Sequence, residues 1–387
     1  MRSRQMSKFL GAALSLSLFV FSADVCGQEI AAAVVSEVKG SVKIISQDGI
    51  ARDAAVNAAV LGEEIVETEP ESKAALIFDD GSRIELGPST RLKVNDQVYT
   101  GASSVLLYIG RLFAHILPAQ NEESVFTVQT LTATAGVRGT DFEAAAGMDG
   151  ASLVGVDEGA VDVISEEGSI TVGPGEEADV SYDGKISRLK RARRSSEEWQ
   201  GWFQNRQQFF IDHSDQVLNI LSRNIELSRG RIADQDKKIA ALKSQIQASY
   251  QKPGISYYQA RNGIKKQIPD YMKMMRSLGE ADNRLAAVDY IIAKADDMAQ
   301  ATPAAFSPAF REKVSAQRAR LKGMNVAEIH RQNRQILAAH FTGIWAAAKK
   351  YSLQQEVWRN LSPRARQQML KKWQDQKQRP RPGTKRK

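Results

Sequence analysis

The sequence predicts a chain in two parts, an all-β N-terminal part followed by an all-α C-terminal part. Three observations predict it. Short alternating apolar runs separated by Asp-Gly and Glu-Gly dipeptides fill the first half, and apolar stripes at helical spacing fill the second. Net charge also changes sign between them. Residues 28–187 hold 10 Lys+Arg against 27 Asp+Glu, a net −17, whereas 188–387 hold 40 against 17, a net +23; the overall +8 conceals the division. A length of 387 residues is consistent with two domains or more.

The first residues read as a secretory signal peptide over 1–27. Arg2, Arg4 and Lys8 form a cationic start, and Phe9 to Phe21 is an apolar run too short to span a bilayer. Cleavage is expected after Gly27, with Val25 at −3. The alternative is a lipoprotein that keeps its lipid on Cys26, although Asp24 and Val25 sit where such a site wants small residues. Cys26 is the chain's one cysteine, so cleavage after Gly27 would leave neither disulfides nor thiol chemistry. No later stretch is apolar for long enough to make a transmembrane helix. The expected location is the periplasm or the cell surface.

A β-domain is expected over 28–187. Strand candidates are Ser41–Ile44, Ala74–Phe78, Arg83–Leu86, Arg91–Val94 and Phe126–Val128, with a further alternating run over Leu112–Leu117. Turns are expected at Asp48-Gly49, Asp80-Gly81, Asp149-Gly150, Glu167-Gly168 and Asp183-Gly184, since such pairs supply the positive φ that tight hairpins need. Many short strands at regular spacing imply a sandwich, a barrel or a short β-solenoid, and the pattern does not choose among them.

A basic linker is expected over Arg188–Arg194, and an α-helical domain over 195–373. Ser195 and Glu198 form a capping box. Trp199, Trp202, Phe203, Phe209, Phe210, His213 and Val217 then continue at helical spacing into a heptad over 218–249, with Leu218, Ile225, Ile232, Ile239 and Ile246 at one position. The partner position, Leu221, Ser228, Gln235, Leu242 and Ser249, is less apolar, which favours an intramolecular hairpin or bundle over an intermolecular coiled coil. Further helices are expected around Tyr257–Ala299, Pro308–Leu321, Val326–Tyr351 and Pro363–Trp373, two of them opened by a Ser-Pro pair. The tail 374–387, with six basic residues and two prolines, is expected to be disordered.

Nothing in this pattern supports catalysis. His115, His213, His330 and His340 show no metal-ligand spacing, and each reads as a packed or surface histidine. Paired carboxylates such as Asp79-Asp80 fall at turns and read as solvated hairpin tips. No nucleophile elbow, phosphate-binding glycine loop or calcium loop occurs. The expectation is a protein that is not an enzyme and uses no cofactor and no metal.

Several segments of the first half stand in a specific order. Val38-Lys39-Gly40-Ser41-Val42, Gly62-Glu63-Glu64-Ile65 and Ser72–Ser82 come first. Gly110-Arg111-Leu112, Val137-Arg138-Gly139-Thr140-Asp141-Phe142, Asp157-Glu158-Gly159 and Gly173-Pro174-Gly175-Glu176 follow. In this order they resemble the FecR family domain, the periplasmic sensor domain of ferric-citrate-type signalling, over roughly Glu37–Ala178. Gly139 is expected to provide a bulge or a positive φ between two strands, and Phe142 to plug the core. Arg138 reads either as a ligand contact or as a brace for nearby carbonyls. Arg138, Gly139, Thr140, Phe142, Trp199 and Trp202 are therefore the candidate binding or motif residues. The resemblance implies a non-catalytic binding module in the bacterial envelope. Signalling members carry a cytoplasmic helical segment before a membrane span. Here only eight residues precede the apolar run, and the extra helical segment is C-terminal.

Three readings of the basic half follow from its charge. It docks on the acidic β-domain of this chain or of a neighbour, it binds an anionic envelope polymer or lipid, or it binds nucleic acid, which export disfavours; against all three stands the plain reading that its lysines and arginines merely solubilise a bundle. The aromatic cluster around Trp199 and Trp202 reads as bundle core or interdomain contact before it reads as a sugar platform. The expected partner is an envelope protein or an anionic envelope polymer; self-association through the helices stays open, and nucleic acid is not expected. The function expected is binding or scaffolding, and the alternative is ligand sensing with a membrane partner.

Overall fold

The protein is described by a computed structural model covering residues 31–95, 103–118, 126–249, 254–359 and 361. The signal peptide expected over 1–27 with Cys26, the helix expected over Pro363–Trp373 and the basic tail 374–387 lie outside these residues.

The strands in chain order are β1 (Ala33–Lys39), β2 (Val42–Ile45), β3 (Ala51–Asp53), β4 (Ala59–Val60), β5 (Ile65–Thr68) and β6 (Lys73–Phe78). They continue as β7 (Arg83–Leu86), β8 (Arg91–Val94), β9 (Ser104–Ile116), β10 (Phe126–Gln129), β11 (Thr134–Val137) and β12 (Thr140–Ala146). β13 (Ser152–Glu158), β14 (Val161–Ile164), β15 (Ser169–Val172), β16 (Glu176–Val180) and β17 (Ile186–Lys190) complete the set. Two sheets result. One runs β4-β1-β6-β7-β9-β12-β13-β16-β17. The other runs β3-β2-β5-β8-β9-β10-β11-β14-β15, and within it β9–β10 is a parallel pair. Their inner faces meet in one apolar core that includes Val35, Ile44, Leu76, Leu92, Leu107, Phe142 and Val156. The alternating pattern follows from this: each strand offers its even or odd residues to the partner sheet and the others outward.

The strands do not fill one sheet and then the other. The chain crosses between sheets at β1–β2, β3–β4, β4–β5, β5–β6, β7–β8, β9–β10, β11–β12, β13–β14 and β15–β16, and also inside β9, which is shared. The ordered motifs lie at these crossings. In β9 the crossing is Gly110, with φ +102°; a Cβ there would sit 2.5 Å from the Thr90 Cα, so only glycine fits. Val137-Arg138-Gly139-Thr140 makes the β11–β12 corner, with Gly139 at φ +59°. It stacks on the β13–β14 corner, where Thr140 Oγ1 donates to the Ala160 carbonyl at 3.1 Å. Phe142 is fully buried just beyond. A two-sheet sandwich wound in this solenoid-like way unites two of the architectures that the sequence left open.

The helices are α1 (Ser196–Asp212), α2 (Ser214–Ser249), α3 (Tyr257–Ala301), α4 (Pro308–Met324), α5 (Val326–Lys350) and α6 (Gln354–Arg359). Ser195 and Glu198 form the expected capping box on α1. The stripe expected to run unbroken from Trp199 into the heptad is interrupted at His213, which ends α1. Along α2, Leu218, Ile225, Ile239 and Ile246 are buried against α3, α5 and the sheets, so within one chain the heptad packs in a bundle. The linker expected over Arg188–Arg194 is not a free linker. Arg188–Lys190 finish β17, paired with β16 through Ala178–Arg188, Glu177–Leu189 and Glu176–Lys190. Arg191 and Arg194 are held against the sheet by ion pairs.

Candidate functional site

Around the start of β9 and the end of β8, the outward face of the second sheet is as buried as its inward one. In β9, Val105 and Leu107 point into the sandwich, while Leu106 and Tyr108 point outward into a cluster with Phe210, Leu221, Ile225, Leu285 and Val288 of the helices. Four consecutive buried residues arise because helices cover the outer face, as strands covered on both sides require. Next to them, on β8, Leu92 and Val94 face inward, so Lys93 faces the helices and is only 3% exposed.

A buried lysine must be compensated. Lys93 Nζ donates to Glu63 Oε2 at 3.1 Å and to Asn283 Oδ1 of α3 at 2.7 Å. Asn283 Nδ2 in turn donates to Gln129 Oε1 on β10 at 2.6 Å. From α5, His330 sets Nε2 3.1 Å from Glu63 Oε2 and pairs through Nδ1 with Asp282. Asn333 Nδ2 donates to the other Asp282 oxygen at 2.7 Å. Glu63, 9% exposed, occupies a left-handed backbone position at φ +70°, an unfavourable geometry for a non-glycine residue. Seven side chains, Glu63, Lys93 and Gln129 from the β-part, Asp282 and Asn283 from α3, and His330 and Asn333 from α5, thus form one charged, hydrogen-bonded junction.

The electrostatics follow from burial set against countercharge. Burial opposes ionisation of Glu63, but Lys93, His330 and Arg334 outweigh it and hold the carboxyl well below the usual range. Burial likewise opposes the charge on Lys93, and Glu63, Tyr108 and Asp282 reverse that effect and raise its pKa. For His330, burial and Lys93 disfavour the proton, while Asp282 and Glu63 prevail and raise its pKa. Beside the junction a cleft of about 60 Å³ is lined by polar groups including Asn95, Ser104, Thr127, Arg276 and Glu280. It has room for a few waters, far short of the several hundred cubic ångströms typical of organic-ligand sites. Among the described residues, no group of three or more His, Cys, Asp or Glu is disposed to hold a metal.

The first sheet is gripped separately. Arg191 reaches Glu143 at 2.8 Å and Asp157 at 3.4 Å, and Arg194 reaches Glu177 at 2.8 Å. The Arg191 guanidinium lies over Gly155, where a Cβ would sit 2.6 Å from Nη1; glycine makes the space. Trp199 then packs on Ala145 and Leu153, with the guanidiniums of Arg111 and Arg194 each 5.1 Å from its ring. Farther along, Arg206 pairs with Asp149, and Arg231 and Arg284 both pair with Glu166. The opposite charges of the two halves are therefore matched within the chain, so the first of the three readings describes how they meet.

Of the candidate residues, Gly139, Thr140 and Phe142 are accounted for by the corner and the core, and Arg138 beside them is exposed. Trp199 is interdomain packing and Trp202 is half-buried against it, with ring centroids 5.8 Å apart. The junction residues Glu63, Lys93, Asp282, Asn283 and His330 were missed. Lys93 sits in an alternating strand where outward means solvent unless something covers it, and the cover comes from α3, some 190 residues later.

Fold and junction define a protein whose layered β-part is clamped by a basic helical part. Residues 64–162 match the family model described as FecR protein, so the β-part carries a FecR domain, within a match that spans under half of the chain. Two crystal structures, at 1.65 and 2.50 Å, of a "putative anti-sigma factor" from Parabacteroides distasonis ATCC 8503 are similar at 22% identity and a TM-score of 0.30. The likeness covers 33% of this chain and 59% of that one, and at that score it carries no functional argument. No curated protein matches the chain.

Proposed function

We propose that this is a non-catalytic binding and scaffolding component of the bacterial envelope, in which the FecR-like β-domain is the recognition part and the helical domain a rigid arm locked to it. The observation that carries the reading is the junction itself. Its charged side chains answer one another across the sheet, α3 and α5, which suits holding two parts together. Arg138, exposed on a corner, is the recognition residue proposed on the β-domain. Export through the segment 1–27 belongs to the same proposal.

A second reading, ligand sensing relayed to a membrane partner, is favoured by the FecR match and by the clamp, since any rearrangement of the β-sheets moves the helices. Cell fractionation combined with a photo-crosslinking residue at Arg138 in the native cells tests both. Recovery in the envelope fraction with a constant crosslinked partner supports the scaffold. A crosslink that appears or disappears with a small-molecule stimulus supports the sensor. Recovery in the cytoplasm refutes both.

A further inference from the structure

His330 stands in a place that suits only its protonated form. Its Nε2 lies 3.1 Å from Glu63 Oε2 of the β-part, and its Nδ1 is paired with Asp282 of α3. Both partners are buried carboxylates, Glu63 9% exposed and Asp282 4%. An imidazolium carries an N–H for each of them. A neutral imidazole carries one N–H and one lone pair, so one of the two carboxylates would face a lone pair. The other charged groups around the ring leave this requirement in place. From the β-part, Lys93 donates to the same Glu63 oxygen, and Tyr108 lies within the field of Lys93. Arg276 and Glu280 of α3 and Arg334 of α5 line the cleft beside the ring, and on α2 Asp236 is engaged by His340 farther along α5.

Loss of that proton acts unevenly. Asp282 keeps its bond from Asn333, and α5 keeps its ties within the bundle, where Tyr271 Oη donates to the His340 carbonyl at 2.8 Å. Glu63 keeps Lys93, which belongs to its own β-part, and the pull of Arg334. The link that weakens is the one from His330 to the Glu63 turn. That turn is strained: Glu63 sits at φ +70°, its N–H donates to the Val94 carbonyl at 2.6 Å, and the Val94 N–H donates to the Glu64 carbonyl at 3.0 Å. A residue in so unfavourable a backbone region stays there only while its surroundings fix it. We infer that His330 is a proton-operated latch, which ties α5 to the strained Glu63 turn when charged and frees the turn when neutral, so that the contact between the arm and the β-part responds to pH. The pKa of His330 is raised by Asp282 and Glu63, so the latch is closed below the ordinary value of 6.5 and opens as pH rises through the folded value. The latch requires neither the envelope placement nor a role for Arg138, and either can fail without it.

The test is amide hydrogen exchange on the full chain at about pH 6 and about pH 9, on either side of the histidine range, with rates corrected for intrinsic exchange. Expected at the higher pH is exchange roughly tenfold faster at Glu63, Glu64 and Val94, the scale of one charge-assisted hydrogen bond, with little change in α3 around Tyr271. In His330→Gln, which cannot titrate, the exchange of the turn should no longer depend on pH. The parent chain supplies a readout that needs no substitution: the midpoint of the exchange change should coincide with the titration of a histidine imidazole resonance. Equal exchange of the turn at both pH values overturns the inference. So does an acceleration shared equally by all elements, which would report general instability, and so does a response that persists in His330→Gln.

Discussion

Removing the Lys93 charge is the perturbation that most directly tests the junction. Lys93→Met keeps the length of the side chain and its apolar stem but withdraws the ammonium that lies between Glu63 and Asn283. Glu63 is then a buried carboxylate whose remaining countercharges come from the helices, with His330 3.1 Å away. Breaking a buried pair from one side costs about 3–5 kcal/mol, because the surviving charge stays buried without its partner. Asn283 also loses a donor, but its carbonyl belongs to the same network, so the two losses do not simply add. For a chain of 387 residues, at ~2.1 cal/mol/K of unfolding entropy per residue, the expected fall in melting temperature is roughly 4–6 °C, measured by circular dichroism or calorimetry. Hydrogen exchange should locate the effect, with faster exchange in α5 around His330 and in α3 around Asp282. Adding Glu63→Gln to Lys93→Met removes the orphaned charge, and the double variant should recover to within about 2 kcal/mol of the parent, since neutral replacement of a buried pair is well tolerated. A Lys93→Met protein with unchanged melting temperature and unchanged exchange in α5 would refute the claim that this network locks the arm to the sheet.

Three further outcomes are expected. His330 has a raised pKa in the folded protein, so its contribution is fully present below its ordinary value of 6.5 and is lost as pH rises through the folded value; Glu63, shifted the other way, contributes above 4.5. Stability measured against pH should therefore decline on the alkaline side, and His330→Gln should flatten that decline; an identical pH profile in the variant counts against it. Gly155→Val should displace Arg191 from Glu143 and cost about 1–3 kcal/mol by urea denaturation, whereas Gly201→Ala in α1, with open space around it, should be neutral or slightly stabilising. Gly110→Ala, which forces a Cβ against the Thr90 backbone at φ +102°, should yield little soluble protein, and normal yield with an unchanged melting temperature would contradict the corner geometry.

How much of this was legible in the sequence depends on the range of the interactions involved. Local rules placed β7, β8 and the α1 cap at their observed residues, because alternation and capping boxes are decided within a few positions. The same rules misplaced Arg188–Lys190, since a basic edge strand and a basic linker have the same composition and only pairing with β16 separates them. The corner motifs were visible as a pattern without a reason: nothing near Gly139 in the sequence says that its corner must nest against the one at Gly159. The junction was hidden most completely. Lys93 and His330 each satisfy the rule for an exposed residue on its own element, and they become buried only when two elements more than two hundred residues apart close on the same carboxylate. The opposite charges of the two halves, legible by counting alone, were the trace that this closure leaves in composition. A −17 segment followed by a +23 segment in one chain is what remains when the partner that neutralises an acidic sheet is carried by the same polypeptide. The counts give the sign of the attraction. The buried network decides where it is satisfied, on the Glu63 carboxylate between Lys93 and His330.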